Sequence, residues 1–196
     1  MPRASRRADV RATAARLFRE HGFRAATMDL IADAVGLNKG TLYHYYPSKS
    51  AVLYELMSDQ LDVTLGLIER VDPDGSPRER LAELLRLEAN QAANASDELV
   101  VFFQELPWIQ QNLTAEQAED ILTRVGKYRE ITQGLLSDGI ASGEFRQLDV
   151  TTAHYSIIGI LAYVPNWFRP RPGRSRETLA GELSEFILSG LSAPAS

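Results

Sequence analysis

The sequence predicts an all-α protein of about nine helices, made of an N-terminal three-helix head and a C-terminal helical bundle. Apolar residues recur at spacings of three and four along nearly the whole chain, which is typical of amphipathic helices, and no run alternates as a half-buried strand does. Polar capping residues, glycines and prolines divide this pattern into helix-length segments. The 196 residues, 44% of them hydrophobic, are enough to bury a substantial core.

Four helices are predicted in the first third of the chain. The first ends at Gly22, the second is capped by Thr27 and ends at Gly36, the third is capped by Asn38 and ends before Pro47, and Ser48 caps a long fourth. Their apolar stripes include Val10, Ala14, Leu17 and Phe18, then Leu30, Ile31, Ala34 and Val35, then Val52, Leu53, Leu56 and Met57. The loop 72–76 ends the fourth helix.

Five helices are predicted in the remainder. They begin at Pro77, around Val100, at the capping box Thr114–Gln117, at Asp149 or Thr151, and at Ser175. Pro107 is expected to kink or end the second of these five, and Gly143 to stop the third.

The second and third helices, with the turn 35–38 between them, have the spacing of a helix-turn-helix. Gly36 suits the left-handed backbone of the turn. Leu42 and Tyr46 are expected to face the core with Phe18, Ile31 and Ala34. The outward face of the third helix then carries Lys39, Gly40, Thr41, Tyr43 and His44, which suits the major groove of DNA.

Charge is divided unevenly along the chain. Residues 1–50 carry nine basic and four acidic side chains, a net charge of +5, whereas the remaining residues carry 12 basic and 22 acidic groups, a net charge of −10. The net charge of −5 for the whole chain argues against nucleic acid when it is taken alone. The division instead favours a basic head that meets phosphates and an acidic body with other partners.

The segment 27–49, with 17–23 before it, resembles the TetR family of bacterial transcriptional regulators. The resemblance covers roughly residues 8–57 and implies a DNA-binding domain over 1–50, a ligand-binding and dimerisation domain over 51–196, and a homodimer on double-stranded operator DNA. The DNA contacts that carry over are Thr27, Asn38, Lys39, Gly40, Thr41, Tyr43, His44 and Lys49. Tyr46 stands where the family usually has a core Phe, Asn38 where Ser is common, and Ser50 where an acidic residue is common.

Two C-terminal helices carry wide apolar faces. In the family the corresponding helices form a four-helix dimer interface, which implies interface roles for Ile157, Leu161, Leu179, Leu183, Phe186 and Ile187. The alternative is that these residues belong to the core of the chain itself.

The body holds more large aromatic residues than a minimal bundle needs, with polar groups among them. The candidates for binding a small effector are Phe102, Phe103, Glu105, Trp108, Tyr128, His154, Tyr155, Trp167 and Arg169, each of which could instead be a core residue. The stretches 102–106, 142–145 and 166–170 are similar to regulators that sense acyl-CoA thioesters. That resemblance implies an apolar effector, with Arg169 or Arg171 near the CoA phosphates, that releases the repressor from its operator.

Other classes of function find little support in the sequence. There is no cysteine, no zinc-protease or nucleophile-elbow motif and no phosphate-binding glycine loop, so no enzyme, metal or cofactor is expected. The 19-residue uncharged stretch 150–168 contains only 12 apolar residues, and the charged N-terminus does not resemble a secretory signal, so a cytoplasmic protein is expected. The alternative function is a ligand-independent adaptor on DNA that docks a protein partner.

Overall fold

The structure, a computed structural model, describes residues 3–192, with side chains from Arg6 onward. It confirms the all-α fold class, and the described residues contain no strand. The helices are α1 (Arg3–His21), α2 (Met28–Val35), α3 (Lys39–Tyr45), α4 (Lys49–Ile68), α5 (Pro77–Ala93), α6 (Asp97–Glu105), α7 (Ile109–Asn112), α8 (Ala115–Ala141), α9 (Val150–Trp167) and α10 (Arg176–Leu191). A 3-10 turn, Leu106–Trp108, joins α6 to α7.

The capping residues explain why most predicted helix starts are correct. Thr27 Oγ1 accepts a hydrogen bond from Leu30 N at 3.1 Å, and Asn38 Oδ1 accepts one from Thr41 N at 2.7 Å. Asp149, one of the two predicted starts of α9, accepts from Thr152 N at 2.7 Å. Each bond satisfies an amide that the first turn of a helix leaves without a partner.

The helix before Pro107 ends at Glu105, as the prediction for this proline requires, but its start differs from the prediction. Helix α6 begins at Asp97, capped by Ser96, rather than near Val100. It follows Ala95, whose φ of 52° breaks the chain direction after α5. Beyond the proline the chain continues as the 3-10 turn and the single helical turn α7, because proline is tolerated in the first turn of a helix.

The described residues form two compact units. Unit 1 contains the residues up to Asp62 together with Ser96–Leu122, and unit 2 contains Val63–Ala95 together with the residues from Thr123. Helices α4 and α8 each begin in unit 1 and end in unit 2. Packing therefore groups α6, α7 and the start of α8 with the helices that precede Asp62.

The core of unit 1 includes Phe18, Ile31, Leu42 and Tyr46, which are all less than 2% exposed. The expectation that Ala34 faces this core is wrong, because Ala34 is exposed. Helix α2 buries Met28, Ile31 and Ala32 instead. These three positions share one side of the helix at a spacing of three and four, whereas Ala34 lies on the other side.

Unit 2 packs α5 against α9 and α10 around one apolar cluster. Its buried members come from α5, α8, α9, α10 and the loop after α8: Leu81, Leu85, Ala89, Leu136, Phe145, Ile157, Leu161, Ala180, Ile187, Leu188 and Leu191. Gly139 of α8 admits the Phe145 ring, since a Cβ added there would lie 2.1 Å from that ring.

The helices among the described residues include none that is long and apolar enough to span a membrane. The N-terminal residues Met1 and Pro2, which contribute to the prediction about a secretory signal, lie outside the described residues.

Candidate nucleic-acid interface and effector residues

The turn between α2 and α3 has the geometry of a helix-turn-helix. Gly36 has a φ of 66°, in the left-handed region that residues other than glycine rarely adopt. Its amide donates to Asp33 O at 3.2 Å, and the next amide, of Leu37, donates to Ala32 O at 2.9 Å. Asn38 then caps α3, so the turn fixes where the third helix begins.

Helix α3 presents a polar face to solvent, as the sequence predicts. Lys39, Gly40, Tyr43 and His44 are exposed and Thr41 is half-buried, whereas Leu42 is buried. Tyr43 is 43% exposed, an unusual position for an aromatic residue that has only a packing role. The face therefore offers hydrogen-bonding groups at the spacing of one helical turn.

Lys39 is positioned by a neighbour on α2. Its Nζ lies 2.8 Å from Asp29 Oδ1, and both side chains are 60% exposed. The hydrogen bond from Lys39 to Asp29 raises the pKa of Lys39, which stays charged. Exposed ion pairs of this kind contribute little stability, so Lys39 can exchange Asp29 for another acceptor.

Lys49, one of the predicted DNA contacts, is bound to backbone carbonyls of its own chain. Its Nζ donates to Phe23 O at 2.6 Å, to Ala26 O at 2.7 Å and to Arg24 O at 3.2 Å, and it lies 4.4 Å from the centre of the Phe23 ring. Burial lowers the pKa of the Lys49 ammonium. All three donor positions are occupied, so in this structure Lys49 fastens the start of α4 to the loop between α1 and α2.

A second polar network surrounds Tyr46 and is not evident from the sequence. The Tyr46 hydroxyl donates to Glu55 Oε1 at 2.9 Å, and Arg7 donates to the same carboxylate while lying 4.5 Å from the centre of the Tyr46 ring. Burial opposes ionisation of Glu55, but the hydrogen bonds from Arg7 and Tyr46 outweigh it and lower the pKa of this carboxyl. The network accounts for a tyrosine in a buried position, because its hydroxyl has a charged partner.

Much of the positive charge of the head is already compensated by carboxylates. Arg7 and Arg11 pair with Glu55 and Asp59 of α4, and Arg19 pairs with Asp97 of α6 at 2.9 Å. Within residues 6–50, Arg6, Arg16 and Lys39 also pair with acidic side chains. The net charge of +5 therefore overstates the charge that the head offers to phosphates.

Four of the predicted effector residues lie in unit 1. Phe102 is buried, Phe103 is half-buried, and Trp108 is 50% exposed with the Arg24 guanidinium 5.8 Å from its ring centre. Glu105 is buried, and its carboxylate accepts from Phe23 N at 3.4 Å and from Asn112 Nδ2 at 2.8 Å. Both Glu105 oxygens are thus used within unit 1, at the loop that Lys49 holds.

The other predicted effector residues lie in unit 2, where Tyr128 and His154 are buried. They meet Glu88 and Thr132, which the sequence prediction omits, and we call these four side chains the buried polar cluster. A carboxylate at position 88 stands out among the leucines of α5, four residues after Leu84, and that signal could have identified it.

The remaining predicted effector residues of unit 2 lie nearer the surface or the end of α9. Tyr155 and Trp167 are 56% and 46% exposed. Arg169 Nη1 donates to Pro165 O at 3.0 Å and Phe168 O at 2.6 Å, so Arg169 serves the end of α9.

Most of the predicted interface residues pack inside the chain. Leu179 is 1% exposed, Leu161 5%, Ile187 6% and Ile157 8%, because these side chains face α5 and the core of unit 2. Leu183 is half-buried, and Phe186 is 69% exposed. Phe186 borders an apolar groove of about 660 Å³ between α9 and α10, which Ile160 and Ala153 also line. A partner on this face would meet Phe186 and the groove, which the largely buried Ile157 and Ile187 also line.

Two family models match the chain. The model described as bacterial regulatory proteins, tetR family, matches residues 10–56, and the model described as tetracyclin repressor-like, C-terminal domain, matches residues 74–191. The HTH-type transcriptional repressor KstR2 of Rhodococcus jostii is 29% identical over 194 residues, covering 98% of this chain and 94% of that protein.

Solved structures agree with these matches. The ketosteroid transcriptional regulator KstR2 of Mycobacterium tuberculosis has a TM-score of 0.83 at 27% identity, covering 96% of this chain and 95% of that one. AibR, solved in complex with isovaleryl coenzyme A and operator DNA, has a TM-score of 0.80 at 26% identity, covering 97% of this chain and 100% of that one.

Proposed function

Because the chain belongs to the TetR family of bacterial transcriptional regulators, we propose that it is a repressor that a small apolar effector releases from operator DNA. The observation that carries the proposal is the helix-turn-helix formed by α2 and α3, in which α3 exposes a polar face to solvent. The family is one of regulators and not of enzymes. A repressor that binds operator DNA acts in the bacterial cytoplasm, which is where we propose that this protein acts.

We propose that residues 1–50 are the DNA-binding domain. Helix α3 enters the major groove, where Lys39, Tyr43 and His44 contact bases and Gly40 allows the backbone close to the DNA. Thr27, Asn38 and Thr41 lie at the starts of α2 and α3, where the positive end of the helix and the amides that the capping side chains leave unbonded favour phosphate. Lys49 contributes by holding the loop before α2 in position, and it contacts phosphate only after leaving its carbonyl partners.

We propose that residues 51–196 bind the effector and form a two-fold dimer through α9 and α10. An obligate interface of this kind buries on the order of 2,000 Å² or more. The exposed Phe186 and the groove beside it support this role for α10. Two heads then meet half-sites about one turn of DNA apart.

We propose an acyl-CoA thioester as the effector. The support is the likeness to AibR, solved with isovaleryl coenzyme A, and to the fatty acid metabolism regulator protein of Bacillus subtilis, which is 27% identical over 176 residues with 88% of each chain covered. In unit 2, Arg171 is exposed on the turn after α9 and Arg174 stacks 5.7 Å from the centre of the Trp167 ring. The exposed Arg171 suits phosphate better than Arg169, which already binds carbonyl groups, whereas Arg174 also lies 3.9 Å from Glu182 Oε2.

Coupling between effector and DNA is proposed to run along α4 and α8, the helices shared by both units. Effector binding shifts the axes of these two helices. The hydrogen bond between Phe23 N and Glu105 carries the shift to the loop between α1 and α2, which Lys49 holds. A coupling free energy of ~1–3 kcal/mol is enough to change operator occupancy.

The proposal is tested with a duplex selected from a random pool by the purified protein and fluorescence anisotropy. Acyl-CoA thioesters are expected to raise the Kd for this duplex. Lys39→Ala should weaken binding and relax the preference for the selected sequence, whereas Lys49→Ala should weaken binding to all duplexes alike. If both variants bind as wild type does, the assignment of the interface is wrong. If no acyl-CoA thioester raises the Kd, this effector class is excluded and the ligand-independent adaptor is favoured.

A further inference from the structure

The buried polar cluster joins three helices of unit 2: α5 through Glu88, α8 through Tyr128 and Thr132, and α9 through His154. All four side chains are at most 9% exposed. The Tyr128 hydroxyl donates to Glu88 Oε1 at 2.6 Å, and Thr132 Oγ1 lies 2.9 Å from His154 Nδ1. The rings of Tyr128 and His154 have centroids 6.1 Å apart, so the two hydrogen-bonded pairs are neighbours.

A carboxyl group in this position destabilises the fold. Burying a charge costs several kcal/mol unless a counter-charge compensates it, and no lysine or arginine of the described residues pairs with Glu88. Burial raises the pKa of Glu88 to about 7, although the hydrogen bond from Tyr128 works in the opposite direction. A leucine at position 88 would fill a similar volume without this cost. Buried carboxyl groups with raised pKa values are typical of functional sites.

The buried polar cluster also has unused hydrogen-bonding capacity. Among the described residues, Glu88 Oε2 and His154 Nε2 form no hydrogen bond. A protonated carboxyl can both donate and accept, and a neutral imidazole does either according to its tautomer. Each of the two groups can therefore form a hydrogen bond with an uncharged oxygen of a ligand.

Charge limits what that ligand group can be. A carboxylate would be repelled by the ionised form of Glu88. A cationic ligand group would be repelled by Arg129 near His154. Burial and this arginine also lower the pKa of His154, which keeps its imidazole neutral. A hydroxyl, a ketone or a similar uncharged oxygen meets neither penalty.

We propose that the buried polar cluster binds an uncharged oxygen on the apolar part of the effector, so that the protein distinguishes oxygenated acyl groups from plain hydrocarbon ones. This inference rests on the proposed release of the repressor by an acyl-CoA thioester. It adds the class of acyl group that is preferred.

Isothermal titration of the full-length protein tests the proposal with matched CoA thioesters. Unsubstituted acyl-CoAs of medium and long chain are compared with ω-hydroxy and ω-carboxy counterparts of equal length. At the chain length that reaches the buried polar cluster, the ω-hydroxy compound is expected to bind at least tenfold tighter than the unsubstituted one, about 1.4 kcal/mol, and the ω-carboxy compound weaker.

Three variants make the test specific. Glu88→Leu should abolish the preference for the hydroxyl, measured as the ratio of the two affinities, and Glu88→Gln, which still forms hydrogen bonds, should retain part of it. Glu130→Gln, a carboxylate removed from the exposed side of α8, should change neither affinity.

The outcomes separate this proposal from the one it rests on. Binding of unsubstituted thioesters with no gain from the hydroxyl at any length, or a gain that survives Glu88→Leu, overturns the role of the buried polar cluster and leaves acyl-CoA as the effector. If no thioester binds the wild-type protein, both proposals fail.

Discussion

Gly40 lies in the first turn of α3, exposed to solvent and with an ordinary helical backbone. A Cβ added there would contact only Asn38 Oδ1, at 3.5 Å, which is a normal van der Waals distance. The fold therefore has no need of glycine at this position, and glycine in a helix costs about 0.5–1 kcal/mol relative to alanine. Close approach of the backbone to DNA explains the residue better than the turn geometry that explains Gly36.

The first prediction concerns Gly40→Ala. Its free energy of unfolding should equal or exceed that of wild type by about 0.5–1 kcal/mol, because the helix gains a better former. Its affinity for the selected duplex should fall by about tenfold or more, since the methyl group separates α3 from the DNA. Urea unfolding and fluorescence anisotropy measure the two effects.

Gly126→Ala is the matched control for that experiment. Gly126 lies on α8 with open space around its Cα, so alanine there should stabilise the protein without changing DNA affinity. Wild-type affinity in Gly40→Ala would remove the argument for close approach.

At the scale of helices, Glu88 makes α5 sensitive to pH. Its pKa is about 7 in the folded protein against the ordinary 4.5, so the folded state holds a proton that the unfolded state has already lost between these values. The destabilising effect of Glu88 is therefore smallest below pH 4.5. The free energy of unfolding decreases as the pH rises from there toward 7.

The second prediction compares wild type with Glu88→Gln in urea unfolding across this pH range. The stability of wild type relative to the variant should fall by about 3 kcal/mol from the lower to the upper end of the window. Taking the difference cancels the titration of His154, which both proteins share. A difference that does not vary with pH would show that Glu88 keeps its ordinary pKa.

The helices themselves were largely predictable from the sequence, because their caps are local. Thr27, Asn38 and Asp149 each bond an amide three residues later, so a pattern in the chain determines the start. Contacts between distant residues were not predictable in this way. The three carbonyls around Lys49 and the carboxylate that binds Tyr46 are visible only when α1, α3 and α4 are packed.

Assigning side chains to the core, a pocket or an interface was the least predictable step. An apolar stripe on α10 indicates burial without saying against what, and Leu179 and Ile187 proved to be core residues of the chain. Phe186, in the same stripe, is exposed because it lies toward the edge of the buried face. The direction of each helix relative to its neighbours decides these outcomes, and a single sequence does not contain it.

For the whole molecule, the exposed Phe186 provides the test of assembly. Wild type should sediment as a dimer at micromolar concentration. Phe186→Asp should raise the dimer dissociation constant by about 100-fold or more, because it places a charge in an apolar interface. Sedimentation velocity measures this change, and operator affinity should fall with it.

Phe186→Leu provides the conservative control, since it retains an apolar side chain and should remain dimeric. A wild-type protein that sediments as a monomer, or an aspartate variant that remains a dimer, would contradict the assignment of α10 to the interface.

The ion pairs that hold α1 to α4 and α6 also affect how DNA binding responds to salt. A free cation that meets phosphate releases condensed counterions, with a slope of about 0.9 per contact in a plot of log affinity against log salt. Nine such cations per subunit would give a slope of about 16 for a dimer. The three arginines whose charge is already matched by Glu55, Asp59 or Asp97 contribute little to it, so the measured slope should not exceed about 11. Operator affinity would then fall less steeply with salt than the nine basic residues of the head suggest, and the hydrogen bonds of one short helix would carry a larger share of recognition.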